Sequence, residues 1–244
     1  MDWPLVKLNG RYGYINRSGD FVIEPKFLNG DNFREGLAPV QNMENKRWGY
    51  IDKSGDFVHP PVYSNAASFS EGLARVQTPD HMEWGYINPK GQFVIKPQYP
   101  NAGNFSEGLA AVELEFKQFG YIDSLGNVVI ESQFLKAGPF SEGKAAVAVP
   151  ESEDNLETYS YGYINSDGEF LIEPTFEQAY AFQNGMARVK KQHQFSYINE
   201  RGRQIVDPIF DQAWDFRAGL GLVKMGNKFA YINKKGLFVM EPKN

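Results

Sequence analysis

The sequence predicts an all-β chain built from about seven tandem antiparallel meander units, and three observations carry that expectation. One aromatic phrase recurs as Tyr12-Gly13-Tyr14-Ile15, Trp48-Gly49-Tyr50-Ile51, Trp84-Gly85-Tyr86-Ile87, Phe119-Gly120-Tyr121-Ile122, Tyr161-Gly162-Tyr163-Ile164, Phe195-Ser196-Tyr197-Ile198 and Phe229-Ala230-Tyr231-Ile232. Successive copies start 36, 36, 35, 42, 34 and 34 residues apart. Each phrase runs into an Asx-x-x-Gly step, such as Asn88-Pro89-Lys90-Gly91. Units are then joined by an aromatic-x-x-Ala-x-x-Phe connector, such as Tyr99-x-x-Ala102-x-x-Phe105, closed by Gly108. A period of this size marks a supersecondary unit that buries its apolar face by stacking on copies of itself.

Phe69 to Pro97 serves as the model unit. Leu73-Ala74-Arg75-Val76 is a short apolar run and reads as a strand; Trp84-Gly85-Tyr86-Ile87 is the second, and Phe93-Val94-Ile95 the third. Asx at the first corner and Gly at the fourth predict a type I turn with a Gly bulge, joining the second strand to the third. Alternation places Trp84 and Tyr86 on one face, Gly85 and Ile87 on the other. The Gly slot accepts only Gly, Ser196 or Ala230, and the strand before it holds Ala38, Ala74, Ala110, Ala145, Ala187 or Gly221. Two such slots imply a close approach, with the neighbouring repeat's aromatics as the expected cause and alanine tolerated at Gly85. The connector aromatics are six apart, which suits a strand or two turns of 3₁₀ helix, and periodicity does not choose between them.

As a strand, the connector completes four per unit, the content of a propeller blade. A β-propeller-like ring is therefore preferred, with an open β-solenoid or superhelical spiral as the alternative. Seven phrases share six connectors, so a closed ring would carry a gap. The expected organisation is a single repeat domain over 1–244, with units near 1–36, 37–72, 73–108, 109–143, 144–185, 186–219 and 220–244.

Composition narrows the function classes. The hydrophobic share is 42% and the aromatic share 15%, enough for a sizeable core, and the net charge of -5 argues against a nucleic-acid surface. No apolar stretch reaches the ~20 residues of a membrane helix. Cysteine is absent, which excludes disulfides and thiolate metal sites. No signal peptide is evident, so a cytoplasmic setting is expected.

These residues resemble the bacterial WG-repeat family, also called KWG repeats, across essentially the whole chain. The best copies run from Trp48 to Gly72 and from Trp84 to Gly108. The resemblance implies an all-β repeat architecture and ties the chain to no particular reaction. Phe195-Ser196 and Phe229-Ala230 depart from the Trp-Gly pattern, and Ser132 stands where other copies carry Pro.

Catalytic chemistry finds little support. His59, His81 and His193 fall at different places in different repeats, and Ser70, Ser106 and Ser141 have no His at an equivalent position to act as base. His59 occupies a slot held elsewhere by Ile23, Ile95, Ile130, Ile172, Val206 and Met240, which reads as a hydrogen-bonded core His, an exposed edge or a titratable switch. The Asx turns offer too few oxygen ligands for calcium. No metal, cofactor or enzymatic activity is expected.

Two sets of residues invite a binding role. Glu35, Glu71, Glu107 and Glu142 share one connector slot and read as backbone caps or as an acidic stripe facing a basic partner. The fifth repeat carries an insertion between Val147 and Tyr163, with Glu151, Glu153, Asp154, Glu157 and Tyr159. After it, Tyr180 and Trp214 replace Ala67, Gly103 and Gly138. Added loop and added aromatics are how a site is grafted on a regular scaffold. The expected function is a non-catalytic scaffold for another protein. The alternatives are a carbohydrate or cell-wall-glycan binder and a small enzyme.

Overall fold

The computed structural model describes residues 3–152 and 155–243, the last three as backbone. The architecture is all-β, with seven antiparallel sheets of three or four strands and no helix among the described residues. The chain forms two compact units, Met1–Glu113 with Ile122–Asn127 and Leu114–Tyr121 with Val128–Asn244.

The third repeat shows how the sequence makes a sheet. Its strands Asn65–Ala66, Ala74–Gln77, Trp84–Ile87 and Phe93–Tyr99 pair in chain order. The connector therefore begins as a two-residue strand, with Ala66 paired to Val76. Asn88 N–H donates to Gln92 O and Gly91 N–H to Asn88 O, while Asn88 Oδ1 accepts from the Lys90 and Gln92 N–H groups. Gly91 has φ +76°. This is the predicted turn, with an Asx cap on its own backbone.

The connector ends in a second turn, where the sequence pattern offers only a closing Gly. Ser70 and Leu73 exchange both backbone hydrogen bonds across Glu71-Gly72, whose φ angles are +55° and +79°. Positive φ at both central residues is the two-residue hairpin of the I′ kind. Asn184-Gly185, the usual sequence for that turn, occupies the same place in the fifth connector. Arg34–Leu37, Ser106–Leu109, Gln183–Met186 and Arg217–Leu220 repeat the pattern.

The core sits between successive repeats. One cluster joins Tyr14, Phe33 and Ala38 to Ile51, another Tyr50, Phe69 and Ala74 to Ile87, and a third Tyr163, Phe182 and Ala187 to Ile198. Tyr14, Tyr50, Tyr86, Tyr121, Tyr163 and Tyr197 are all at 0% exposure. Each donates its hydroxyl to the backbone carbonyl 17 residues on, at 2.7–2.8 Å: Asp31, Ala67, Gly103, Gly138, Tyr180 and Trp214. Each ring also meets a connector Phe with centroids 4.8–5.1 Å apart. The buried phenol thus finds its acceptor in the next connector, as burial demands.

The Gly slot has a different cause from the one expected. Trp84 pairs with Tyr99 but Tyr86 with Ile95, so the outer strand bulges opposite Gly85. A Cβ there would lie 2.6 Å from Pro97 N and 2.7 Å from Ile95 O. The wall is the backbone of the same repeat, not a neighbour's ring. The two exceptions confirm it. In the sixth repeat residues 203–208 form no regular strand, and Ser196 Oγ donates to Val206 O. In the seventh, Phe229 pairs with Lys243 and Tyr231 with Met240, which shortens the bulge opposite Ala230 by one residue. The Ala slot does follow the expectation: a Cβ on Gly221 would lie 2.6 Å from Phe216 Cε2 and 3.0 Å from the Tyr197 hydroxyl.

Candidate interaction site

The four glutamates are the first candidates, and the structure turns three of them onto backbone. Glu35 Oε2 accepts from Gly72 N–H at 3.0 Å, and Glu71 accepts from Glu107 and Gly108 N–H at 2.7 and 2.9 Å. Glu142 Oε2 accepts from Gly185 N–H at 2.8 Å. The serines beside them do similar work. Ser70 Oγ donates to Phe105 O and Ser141 Oγ to Phe182 O, at 2.8 and 2.7 Å. The I′ turns at Glu35, Glu71 and Glu142 therefore hold the turn of the next repeat, and there the slot's acidity serves stacking. Glu107 supplies one of the N–H donors.

The insertion is an extension of two strands rather than a loose loop. Lys144–Ser152 and Asn155–Ile164 pair through Val149–Ser160 and Pro150–Tyr159. Glu151 Oε1 accepts from Ser160 Oγ at 2.9 Å, and Glu157 is exposed with its N–H on Asn155 Oδ1. Glu153 and Asp154 lie outside the described residues.

The aromatics form a ridge. Lys136 Nζ donates to the Tyr159 hydroxyl at 2.6 Å and lies 4.5 Å from its ring centre. That bond holds the Lys136 ammonium above its ordinary pKa. Tyr159 meets Tyr161 with centroids 5.8 Å apart, and burial raises the Tyr161 phenol. A cavity of about 260 Å³ lined by Lys136, Gly138, Tyr161 and Tyr180 leads to the half-buried Tyr180. Arg188 stacks on Tyr180 at 3.6 Å, donates to Ala213 O at 2.8 Å and places Nε 2.8 Å from Asp215 Oδ1. Nε makes no well-angled hydrogen bond, so the Asp215 contact is an ion pair. Trp214 is 38% exposed and meets Phe229 at 6.1 Å. A second cavity of about 520 Å³ is lined by Arg188, Trp214, Asp215, Arg217, Leu220, Leu222 and Tyr231.

Tyr159 is linked to Tyr180 by way of Tyr161, and Arg188 joins Tyr180 to the cavity that Trp214 lines, where Asp215 is the neighbouring carboxylate. Among the described residues the cations on these rings are Lys136 and Arg188, while Glu151 accepts from Ser160. Sequence reasoning missed Lys136, Tyr161, Arg188, Asp215 and Tyr231. A usable signal existed for Arg188, since Arg75 fills the same strand slot and reaches Asn104 Oδ1 and Ala102 O.

The remaining candidates take structural places. His59 Nε2 lies 3.0 Å from Pro89 O in the next repeat's turn, where Ile23 packs against Gly55 and Ile95 against Gly126. His81 is exposed, and His193 faces Glu177 at 3.2 Å. No cluster of possible metal ligands occurs among the described residues, and no helix there is long and apolar enough to cross a membrane.

The family model for the WG containing repeat matches residues 12–46, 48–78, 84–115, 119–149, 161–192 and 195–229. The chain belongs to the WG repeat family. No curated relative matches it in sequence. Among solved structures, a eukaryotic initiation factor aligns with a TM-score of 0.65 and 16% identity, covering 98% of this chain and 72% of that one. BamB from Moraxella catarrhalis aligns at 0.57 and 10%, covering 99% and 87%. Hsv2 from Kluyveromyces marxianus aligns at 0.56 and 9%, covering 94% and 87%. These are β-propeller proteins, and at such identities the likeness is one of fold.

Proposed function

We propose that this WG repeat protein is a non-catalytic scaffold that holds another protein along the ridge from Tyr159 to Trp214. The observation that carries the reading is the set of Tyr159, Tyr161, Tyr180 and Trp214 interleaved with Lys136 and Arg188, with Tyr180 and Trp214 in the slot that three other connectors fill with Ala67, Gly103 and Gly138. Aromatic and Arg side chains supply most of the binding energy at protein interfaces. The cations favour a partner with an apolar anchor and an acidic rim. Catalysis finds no support in the serines, whose Ser70 and Ser141 hydroxyls are committed to carbonyls of the next repeat.

A photo-crosslinking amino acid at position 214, with the same probe at Ala67 as control, tests the reading in native lysate. The expected result is one dominant protein adduct at 214 that Tyr180→Ala reduces and that Ala67 lacks. Equal labelling at both positions would overturn it. A glycan array giving Trp214-dependent signal would replace the protein partner by a sugar.

A further inference from the structure

Tyr231 is the seventh phrase tyrosine, and it is 38% exposed where the other six are at 0%. No carbonyl among the described residues accepts from its hydroxyl. Its ring faces the cavity of about 520 Å³ lined by Trp214, Asp215, Arg217, Leu220 and Leu222. Those positions correspond to Tyr180, Ala181, Gln183, Met186 and Arg188 one repeat earlier. There Arg188 donates to Ala213 O, Tyr197 donates to Trp214 O, and Met186, Tyr197, Ala213 and Phe216 pack in one cluster. The cavity is thus the surface that receives a connector, seen with its floor exposed.

Resting on the scaffold reading above, we propose that this surface binds an extended peptide segment from a partner protein. The segment would copy a connector, with a small residue, two further residues, a phenylalanine and then a carboxylate. Six filled copies in the same chain define the first part. In each, the residue after the small one gives its carbonyl to the tyrosine hydroxyl, and the phenylalanine presents to the ring at 4.8–5.1 Å. A second copy of this chain is a poor source, because Phe33, Phe69, Phe105, Phe140, Phe182 and Phe216 are all buried in their own repeats.

The carboxylate follows from how this surface differs from its siblings. Ser70 and Ser141 hold the next connector's Phe carbonyl, and Glu71 and Glu142 hold the N–H groups of its turn. Here the same positions are Arg217 and Ala218. Ala218 has no carboxylate with which to grip a Glu-Gly turn. The exposed guanidinium of Arg217 instead favours an anionic group just beyond the phenylalanine. Asp215 is paired with Arg188, and Arg217 has no ion-pair partner among the described residues.

The probe is a labelled synthetic peptide of residues 98–108, which carries Ala102, Phe105 and Glu107, titrated against the full chain by fluorescence anisotropy. Saturable binding is expected, weakened about tenfold or more when the peptide's Phe105 becomes Ala. Tyr231→Phe should weaken it severalfold, and Arg217→Gln should remove the preference for Glu107 over Gln in the peptide. Leu222→Arg, checked for an unchanged melting profile, restores the cation that Arg75 and Arg188 set against the connector's Ala carbonyl and should tighten binding; if it unfolds the protein, Tyr231→Phe and Arg217→Gln carry the test. No saturable binding, or binding indifferent to Phe105 and Tyr231, overturns the proposal. In that case a persisting position-214 crosslink would leave the scaffold reading standing, whereas loss of the crosslink with intact peptide binding would overturn only the wider ridge.

Discussion

The third repeat and the seventh are written with the same phrase but end differently. Tyr86 is sealed by Gly103 O and Phe105, while Tyr231 keeps its face open beside Leu222 and Trp214. Gly85 is walled by a full bulge, and Ala230 by one a residue shorter. Glu71 grips the following turn, where Ala218 grips nothing with its methyl. A regular repeat commits its side chains to the next copy. Where those commitments lapse, aromatic surface is left exposed, as at Tyr231 and Trp214.

The broadest test of the contrast is pH. Burial pushes the phenols of Tyr14, Tyr50, Tyr86, Tyr121, Tyr163 and Tyr197 well above the ordinary value of 10.0. A raised folded value means that the unfolded chain loses its proton first. Their stability contribution is full below pH 10 and is lost as pH climbs toward the raised values, at about 1.4 kcal/mol per tyrosine per pH unit. Cooperative unfolding should set in above about pH 10, with several tyrosinates appearing together at 295 nm. Independent, non-cooperative titration of those phenols in the folded protein would break the picture of six sealed sites.

Next in size is the tyrosine pair itself. Tyr86→Ala should cost on the order of 3–5 kcal/mol in chemical denaturation. Tyr231→Ala should cost about 1 kcal/mol, since a partly exposed ring loses less on truncation. Equal losses would show that the seventh repeat is as closed as the third.

Gly85→Ala comes third. A methyl within 3 Å of Pro97 and Ile95 backbone must push the bulge outward, at about 1–3 kcal/mol. Ala230→Gly, across from the shorter bulge, should change stability by about 1 kcal/mol or less. A neutral Gly85→Ala would mean that the outer strand yields freely.

The smallest effect belongs to the caps. Glu71→Ala removes two charge-assisted acceptors at the Glu107-Gly108 turn and should cost about 1 kcal/mol. Ala218→Glu should cost nothing measurable in thermal melts. If Glu71→Ala were equally silent, the turn-to-turn grip would have no energetic content.

Much of the fold was legible because it is written locally. Asn88 and Gly91 carry their turn in their own φ preferences and side-chain bonds, and the phrase period counts the sheets. Tyr180 and Trp214 stood out as departures from a small-residue slot. Lys136 and Arg188 did not, because Lys136 reaches Tyr159 across 23 residues and Arg188 reaches Ala213 across 25. The insertion looked like an acidic loop, since pairing of Val149 with Ser160 depends on strand register rather than composition.

The sequence by itself determined the repeat, its Asx-x-x-Gly turns and the family, since those follow from spacing and nearest-neighbour backbone preference. Only the tertiary structure decided what the conserved-looking slots of the repeat are for. Gly85 answers to a bulge ten or more residues away, and Glu71 to backbone N–H groups 36 and 37 residues on. Tyr231 differs from six identical residues only in what packs against it. The physical reason is range: turn geometry is set by a few adjacent dihedrals, whereas burial and partnership depend on which distant backbone the stacking of repeats brings within hydrogen-bond reach.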